Sequence, residues 1–210
     1  TLSSWLKNTS IIIPLTRLSY LQEPLKRLLT LPFKEIIIVT KDSNIKINNS
    51  RVKFISSDDI NNVSKARNFG AKHANGKFFL FIDDDVIIEK KTIKYLQIFP
   101  LKNFDILCGK YNDEKMGNNF STIYDNMTID YRMFKGNEFN QIYSSSHFII
   151  RNEIFNQSGG FNEYIKGYED IEFFHRCKIL GYKIKFDPTF QATHLKNYNF
   201  FSLLKNYFCK

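Results

Sequence analysis

Three consecutive carboxylates, Asp83, Asp84 and Asp85, directly follow an apolar run at residues 77–82. Side chains so close together repel one another, and either a cation or hydrogen-bond donors must offset the repulsion. Mg²⁺ and Mn²⁺ prefer oxygen ligands, and proteins commonly hold them with one or two carboxylates plus substrate phosphates. The triplet alone is therefore compatible with a divalent-metal site and equally with a solvated acidic turn.

A second acidic pair, Glu169-Asp170, lies at the start of a helix predicted over residues 168–180. The helix dipole favours carboxylates at this position, which is a purely structural reason for their presence. The catalytic alternative is that Asp170 accepts a proton from a hydroxyl group while Glu169 positions the molecule that carries it. Gly167 and the Gly-Gly-Phe turn at residues 159–161 would let a ligand approach the backbone closely.

The elements that must position these residues alternate between strands and helices in the first half of the chain. Strands are predicted at residues 10–14, 35–40, 52–55 and 77–82, and helices at residues 18–29 and 65–74, the latter capped by Ser64. Continuous apolar strands indicate a largely parallel sheet that is covered on both faces, hence an α/β fold. Ligands bind such sheets beyond the carboxyl ends of the strands, where Thr16-Arg17, Asp42 and the acidic triplet fall.

The second half of the chain is less regular. Residues 110–142 are rich in Asn, Asp and Tyr with little periodicity, and this composition predicts a loop or insertion. A short strand at residues 148–150 and a strand at 182–186, ended by Pro188, complete the pattern. His194 lies just beyond, and it is a candidate ligand only if the fold brings it to Asp85.

Composition narrows the class of protein. The chain of 210 residues has a net charge of +9, but its lysines are spread along the sequence and no nucleic-acid-binding motif occurs, so no nucleic-acid partner is expected. Cys108, Cys177 and Cys209 show no paired spacing, which favours a reducing, cytoplasmic location, and nothing in the sequence supports a catalytic thiol. No apolar run approaches the roughly 18 residues of a membrane span.

Several ordered motifs together resemble family 2 glycosyltransferases with the GT-A fold, a Rossmann-like fold for nucleotide-diphospho-sugar transferases. The donor-half resemblance lies in SKARNFG at residues 64–70, ANGK at 74–77 and FIDDD at 81–85. The acceptor-half resemblance, also similar to chondroitin-polymerase-type and galactosyltransferase-type enzymes, lies in GGFNE at 159–163, GYEDIEF at 167–173, Arg176 and Gly181-Tyr182. It covers about residues 11–194, nearly the whole chain.

The resemblance implies a role for each candidate residue. Asp83 would contact the donor ribose in a DXD motif, Asp84 would lie with the donor-binding residues, and Asp85 would ligate Mn²⁺ or Mg²⁺ together with His194. The other donor-binding residues would be Pro14, Thr16 and Arg17 around the nucleoside, Asp42 at the uracil, and Lys65 and Arg67 at the nucleotide. Asp170 matches the catalytic base of inverting members, and Glu169 matches an acceptor-binding carboxylate.

The implied activity is transfer of a hexosyl or N-acetylhexosaminyl group from a UDP-sugar to a hydroxyl of a glycan or lipid-linked glycan. We expect one GT-A domain over residues 1–210, with a donor half at about 10–100, an acceptor half at about 101–196 and a tail at 197–210. A nucleotidyltransferase and a non-catalytic domain derived from the same fold are the alternatives. The absence of glycine from Pro14-Leu15-Thr16-Arg17 disfavours the first alternative. The second is disfavoured by the joint presence of Asp83, Asp85, Glu169, Asp170 and His194. The aromatic, lysine-flanked tail is compatible with a helix on the inner face of a membrane, and equally with packing onto the domain.

Overall fold

The computed structural model describes residues 5–42, 44–45, 47–99, 104–112, 119–134, 143–195 and 198–208. Within these residues, eight strands form one sheet in the order β3-β2-β1-β4-β7-β6-β8-β5. The strands are β1 (Thr9–Pro14), β2 (Glu35–Thr40), β3 (Val52–Ser56), β4 (Phe78–Ile82), β5 (Val86–Ile88), β6 (Ile106–Tyr111), β7 (His147–Arg151) and β8 (Ile184–His194). The helices are α1 (Leu18–Leu29), α2 (Val63–Lys72), α3 (Lys90–Ile98), α4 (Phe120–Phe134), α5 (Asn152–Gln157), α6 (Glu169–Ile179) and α7 (Phe200–Phe208).

The predicted α/β class is confirmed, and the sheet is mixed. Strands β3, β2, β1 and β4 run parallel to one another, as their continuous apolar sequences indicated. Strand β7 then pairs antiparallel with both β4 and β6, while β6 and β8 are parallel. The carboxyl ends of β1, β2 and β4 therefore meet at one edge, and the short antiparallel pair of β5 and β8 is added beside it.

Aromatic packing fixes α6 against the sheet. Phe81 of β4 and Phe148 of β7 stack with ring centroids 4.9 Å apart, and Phe161 and Phe173 stack at 4.4 Å on the same side of the sheet. All four rings are buried in one cluster. Buried aromatic side chains contribute much of a core's packing energy, so the first turn of α6 is held on a rigid base next to the end of β4.

Three sequence-based expectations about elements were wrong. Residues 110–142 are not simply a loop, because they include the end of β6 and all of α4. Strand β8 continues through Pro188 to His194, since the pairing of β6 with β8 shifts register between Cys108 and Lys110 and so requires no ladder hydrogen bond from the proline. Helix α2 is capped by the Asn62 side chain, which accepts from the Lys65 amide, and not by Ser64.

No helix within the described ranges is both long and apolar enough to cross a bilayer.

Candidate active site

A buried arginine joins the two acidic groups. Arg67 on α2 places Nη2 2.8 Å from Asp83 Oδ1 and Nη1 3.2 Å from Glu169 Oε1. Its guanidinium lies over the ring of Phe161, with 5.1 Å from Cζ to the ring centroid. The end of β4 and the start of α6 are thus tied to the same side chain, and the structure brings the acidic triplet and the Glu169-Asp170 pair into one site.

Opposing electrostatic effects act on the pKa of Asp83. Burial raises its pKa to about 6, repulsion from Asp85 adds to the rise, and the attraction of Arg67 acts in the opposite direction. A carboxylate that is costly to ionise in the free protein is one that gains from a further cation or a hydrogen-bond donor. Asp83 is also partly exposed, so an arriving ligand can contact it.

Asp85 and His194 are brought together by the pairing of β5 with β8. The ladder places Val86 opposite His194, and Leu195 donates its amide to the Asp85 carbonyl at 2.7 Å. As a result, His194 Nε2 lies 3.4 Å from Asp85 Oδ2. The imidazole stacks on Tyr111 of β6 with 5.1 Å between centroids and 15° between planes, which fixes the orientation of the ring.

Asp84 faces inward, towards the loop after β1. Its Oδ2 accepts from the backbone amides of Thr16 and Arg17 at 2.6 and 2.7 Å, and the Thr16 hydroxyl donates to the same carboxylate. Asp84 is buried, and burial raises its pKa while these hydrogen bonds oppose the rise. Asp84 therefore holds the loop that carries Thr16 and Arg17 and reaches a donor only through that loop.

A pocket of about 470 Å³ opens beside this loop, between the ends of β1 and β2 and the start of α2. Pro14, Thr16 and Asp42 all line it, with Ile60 and Ala66 among the other lining residues. The pocket has both an apolar wall and polar groups at its rim, as small-molecule sites usually do. Asp42 also accepts from the Asn44 amide at 2.9 Å, so its carboxylate both closes a turn and lines the pocket.

Asp170 lies in the first turn of α6, next to Glu169. Burial raises its pKa, the charge of Glu169 adds to the rise, and Arg67 opposes it. A carboxylate with a raised pKa is a stronger proton acceptor than an ordinary aspartate, which suits it to act as a general base.

The turn before α6 is held from two sides by residues that the sequence reading did not single out as site residues. Asn68, next to Arg67 on α2, donates to the Phe161 carbonyl and to Glu163 Oε1 and accepts from the Phe161 amide. Arg176 on α6 donates to the Ser158 and Gly160 carbonyls. The sequence placed both residues inside motifs, but nothing in one sequence indicates that their side chains hold a turn far along the chain.

One donor-binding candidate, Lys65, and the cysteine Cys108 lie apart from this group. Lys65 lines a separate pocket of about 390 Å³ on the outer side of α2, together with Asp59, Asn68 and Glu163. Cys108 is buried and burial raises its pKa, which makes it unsuited to nucleophilic chemistry. Cys209 lies outside the described residues.

The residues present fit a divalent cation at Asp85 and His194. A carboxylate and an imidazole face each other at 3.4 Å, and the buried Nδ1 of His194 has no hydrogen-bond partner among the described residues. No cluster of three or more potential ligands occurs in the described part of the chain, and the described residues would supply two ligands. Mg²⁺ and Mn²⁺ sites that use substrate phosphates and water for the remaining positions have this character.

Comparison with known proteins is consistent with this geometry. The family model described as glycosyl transferase family 2 matches residues 10–159. No curated protein matches the chain significantly.

Two solved structures show the same fold. The mannosyltransferase PcManGT from Pyrobaculum calidifontis, in complex with GDP-Man and Mn²⁺, superposes with a TM-score of 0.67 at 13% identity, covering 92% of this chain and 58% of that one. The structure of S. aureus TarS 1-349 has a TM-score of 0.64 at 24% identity, covering 89% and 60%. The chain thus spans less than two thirds of either neighbour. With the family match, they confirm the predicted GT-A fold.

Proposed function

We propose, from the premise that the chain belongs to glycosyl transferase family 2, that it transfers a sugar from a UDP-sugar to a hydroxyl group of a glycan acceptor. The transfer inverts the anomeric carbon and depends on a divalent metal. The observation that carries the proposal is the bridge from Asp83 through Arg67 to Glu169. It supports the proposal because it ties the end of β4, which carries the acidic triplet, to the first turn of α6, which carries Asp170.

The donor would lie across the carboxyl edge of the sheet. The nucleobase of the donor would occupy the pocket lined by Pro14 and Asp42. The ribose would reach Asp83, whose carboxylate is partly exposed. Asp85 and His194 would hold the metal, and an imidazole beside a carboxylate favours Mn²⁺ over Mg²⁺. Such an ion, when bound, neutralises charge on the departing diphosphate.

The chemistry is a single displacement. The acceptor oxygen bonds to the anomeric carbon as the bond from that carbon to the diphosphate oxygen breaks, and the electron pair leaves with the diphosphate. Asp170 accepts the acceptor's hydroxyl proton, for which its raised pKa suits it. Glu169, held by Arg67, positions the acceptor.

Calorimetry with UDP and GDP, each with Mn²⁺ and with EDTA, tests the donor site. We expect UDP to bind with Mn²⁺ and to lose at least about tenfold in affinity without it, and Asp85→Asn to behave with Mn²⁺ as wild type does with EDTA. Glu153→Gln on α5 is the control, since it removes one carboxylate from a helix that carries none of the candidate site residues. Tighter binding of GDP than UDP would refute the assignment of uracil as the nucleobase of the donor.

Turnover tests the reaction separately. Asp170→Asn should bind UDP like wild type but lose UDP-sugar hydrolysis and transfer. Turnover by this variant at the wild-type rate would refute the assignment of Asp170 as the general base. A nucleoside triphosphate consumed with release of pyrophosphate would identify a nucleotidyltransferase, and metal-independent binding without turnover would identify a non-catalytic domain.

A further inference from the structure

Helix α4 buries polar side chains and exposes apolar ones. Its well-buried side chains in the described part of the helix are polar, namely Ser121, Thr122 and Asp125. Its exposed large side chains are apolar, namely Phe120, Ile123, Tyr124 and Met127. These four follow the spacing i, i+3, i+4, i+7 and so form one stripe along the helix, with Phe120 78% exposed. A helix with this pattern turns its apolar face to something other than the protein core.

Helix α7 packs against α4. The hydroxyl of Thr122 on α4 accepts from the amide of Tyr198, two residues before the start of α7, at 2.8 Å. Leu203 of α7 is buried, whereas Phe200, Phe201 and Leu204 are exposed, Phe201 by 79%. Seven of the fourteen exposed large apolar side chains in the described residues belong to α4 and α7. We call these seven side chains the aromatic surface.

We propose that the aromatic surface docks the protein on an anionic lipid bilayer. Residues 195–210 contain three lysines and no acidic residue, and the whole chain carries +9. Aromatic and aliphatic side chains next to lysines are typical of helices that lie in the plane of a membrane surface. A second copy of the chain is disfavoured as the partner, because two copies that each carry a net charge of +9 repel one another. An anionic bilayer instead attracts both the charges and the apolar side chains.

The opposite side of α4 points to the candidate active site. Helix α4 packs against β6, and Tyr111 at the end of β6 stacks on His194. A protein docked through α4 and α7 would hold the site near the bilayer surface. Docking itself does not depend on the proposed reaction, and its test requires no turnover.

Flotation of the 210-residue chain with vesicles tests the proposal. We expect binding to vesicles of phosphatidylcholine with phosphatidylglycerol, weakened by salt. Binding to phosphatidylcholine alone should be at least about tenfold weaker, because each lysine near an anionic surface contributes about fivefold. The double variant Phe120→Ser, Phe201→Ser should bind anionic vesicles with about a hundredfold lower affinity, since each inserted phenylalanine contributes about tenfold to the affinity.

The matched control is the double variant Ile98→Ser, Ile179→Ser, which removes two apolar side chains that are 78% and 73% exposed on α3 and α6. It should bind like wild type, and circular dichroism and urea midpoints should show both double variants folded. Absence of binding to anionic vesicles, or an equal loss in the control, overturns the proposal. So does a wild-type dimer in light scattering that Phe120→Ser, Phe201→Ser dissociates, since the surface would then be an interface between copies.

Discussion

Replacing Arg67 with methionine should destabilise the protein strongly, because it removes the cation from two carboxylates and leaves both in place. The guanidinium is buried and lies 2.8 Å from Asp83 and 3.2 Å from Glu169. Breaking a buried ion pair by removing one partner costs about 3–5 kcal/mol. The side chain of Asp83 is 31% exposed and water can reach it, so we expect the lower end, about 3 kcal/mol. Since about 2–4 °C of Tm corresponds to 1 kcal/mol in a chain of this size, Arg67→Met should melt about 6–12 °C lower.

Urea denaturation followed by circular dichroism measures this difference. Arg27→Met is the control, because Arg27 lies on α1 away from the site, and a change there should stay within about 0.5 kcal/mol. If the destabilisation comes from the carboxylates left without a cation, adding Asp83→Asn and Glu169→Gln to Arg67→Met should recover most of the lost stability. A midpoint for Arg67→Met equal to that of wild type, or no recovery in the triple variant, would refute the reasoning. The urea midpoint of Arg67→Lys should lie between those of wild type and Arg67→Met, because an ammonium group cannot contact both carboxylates with the geometry of a guanidinium.

Three other variants test separate features. Asp170→Asn should lower transfer by about 100- to 10,000-fold yet raise Tm at neutral pH. The pKa of Asp170 is raised in the folded state, so its ionised form lowers stability above that pKa, and the gain over wild type should vanish as pH falls below the unfolded value. Gly160→Ala should cost about 1 kcal/mol more in urea than Gly181→Ala; both glycines have positive φ, but only at Gly160 would the new Cβ lie 2.7 Å from Asn68 Oδ1. His194→Ala should weaken Mn²⁺-dependent UDP binding by at least about tenfold, whereas exposed His175→Ala should leave it unchanged.

The first half of the fold was predictable because its information is local. Strand β2 and helix α1 begin and end where the apolar pattern placed them. Continuous apolar runs specify buried parallel strands, and the carboxyl ends of those strands converge by topology alone. The sequence therefore predicted which residues share an edge.

The second half depends on non-local contacts that one sequence does not reveal. Helix α4 was missed because residues 110–142 were judged by their Asn, Asp and Tyr content, and the apolar side chains that follow helical spacing in α4 are exposed. The passage of β8 through Pro188 depends on a register shift in its pairing with β6. The position of His194 depends on the same strand, and only the pairing of β8 with β5 brings the histidine to Asp85.

The acidic triplet is tolerated because its three side chains have different partners. Asp84 is directed into the protein and is held by the amides of Thr16 and Arg17, whereas Asp83 pairs with Arg67 and Asp85 faces His194. The charges of Asp84 and Asp83 are thus offset by donors and by a cation within the protein. Asp85 faces the imidazole of His194 at 3.4 Å. A divalent cation at Asp85, as proposed above, would add a partner for the third carboxylate, while Asp84 holds the loop with Thr16 and Arg17 and Arg67 holds Glu169 beside the candidate base.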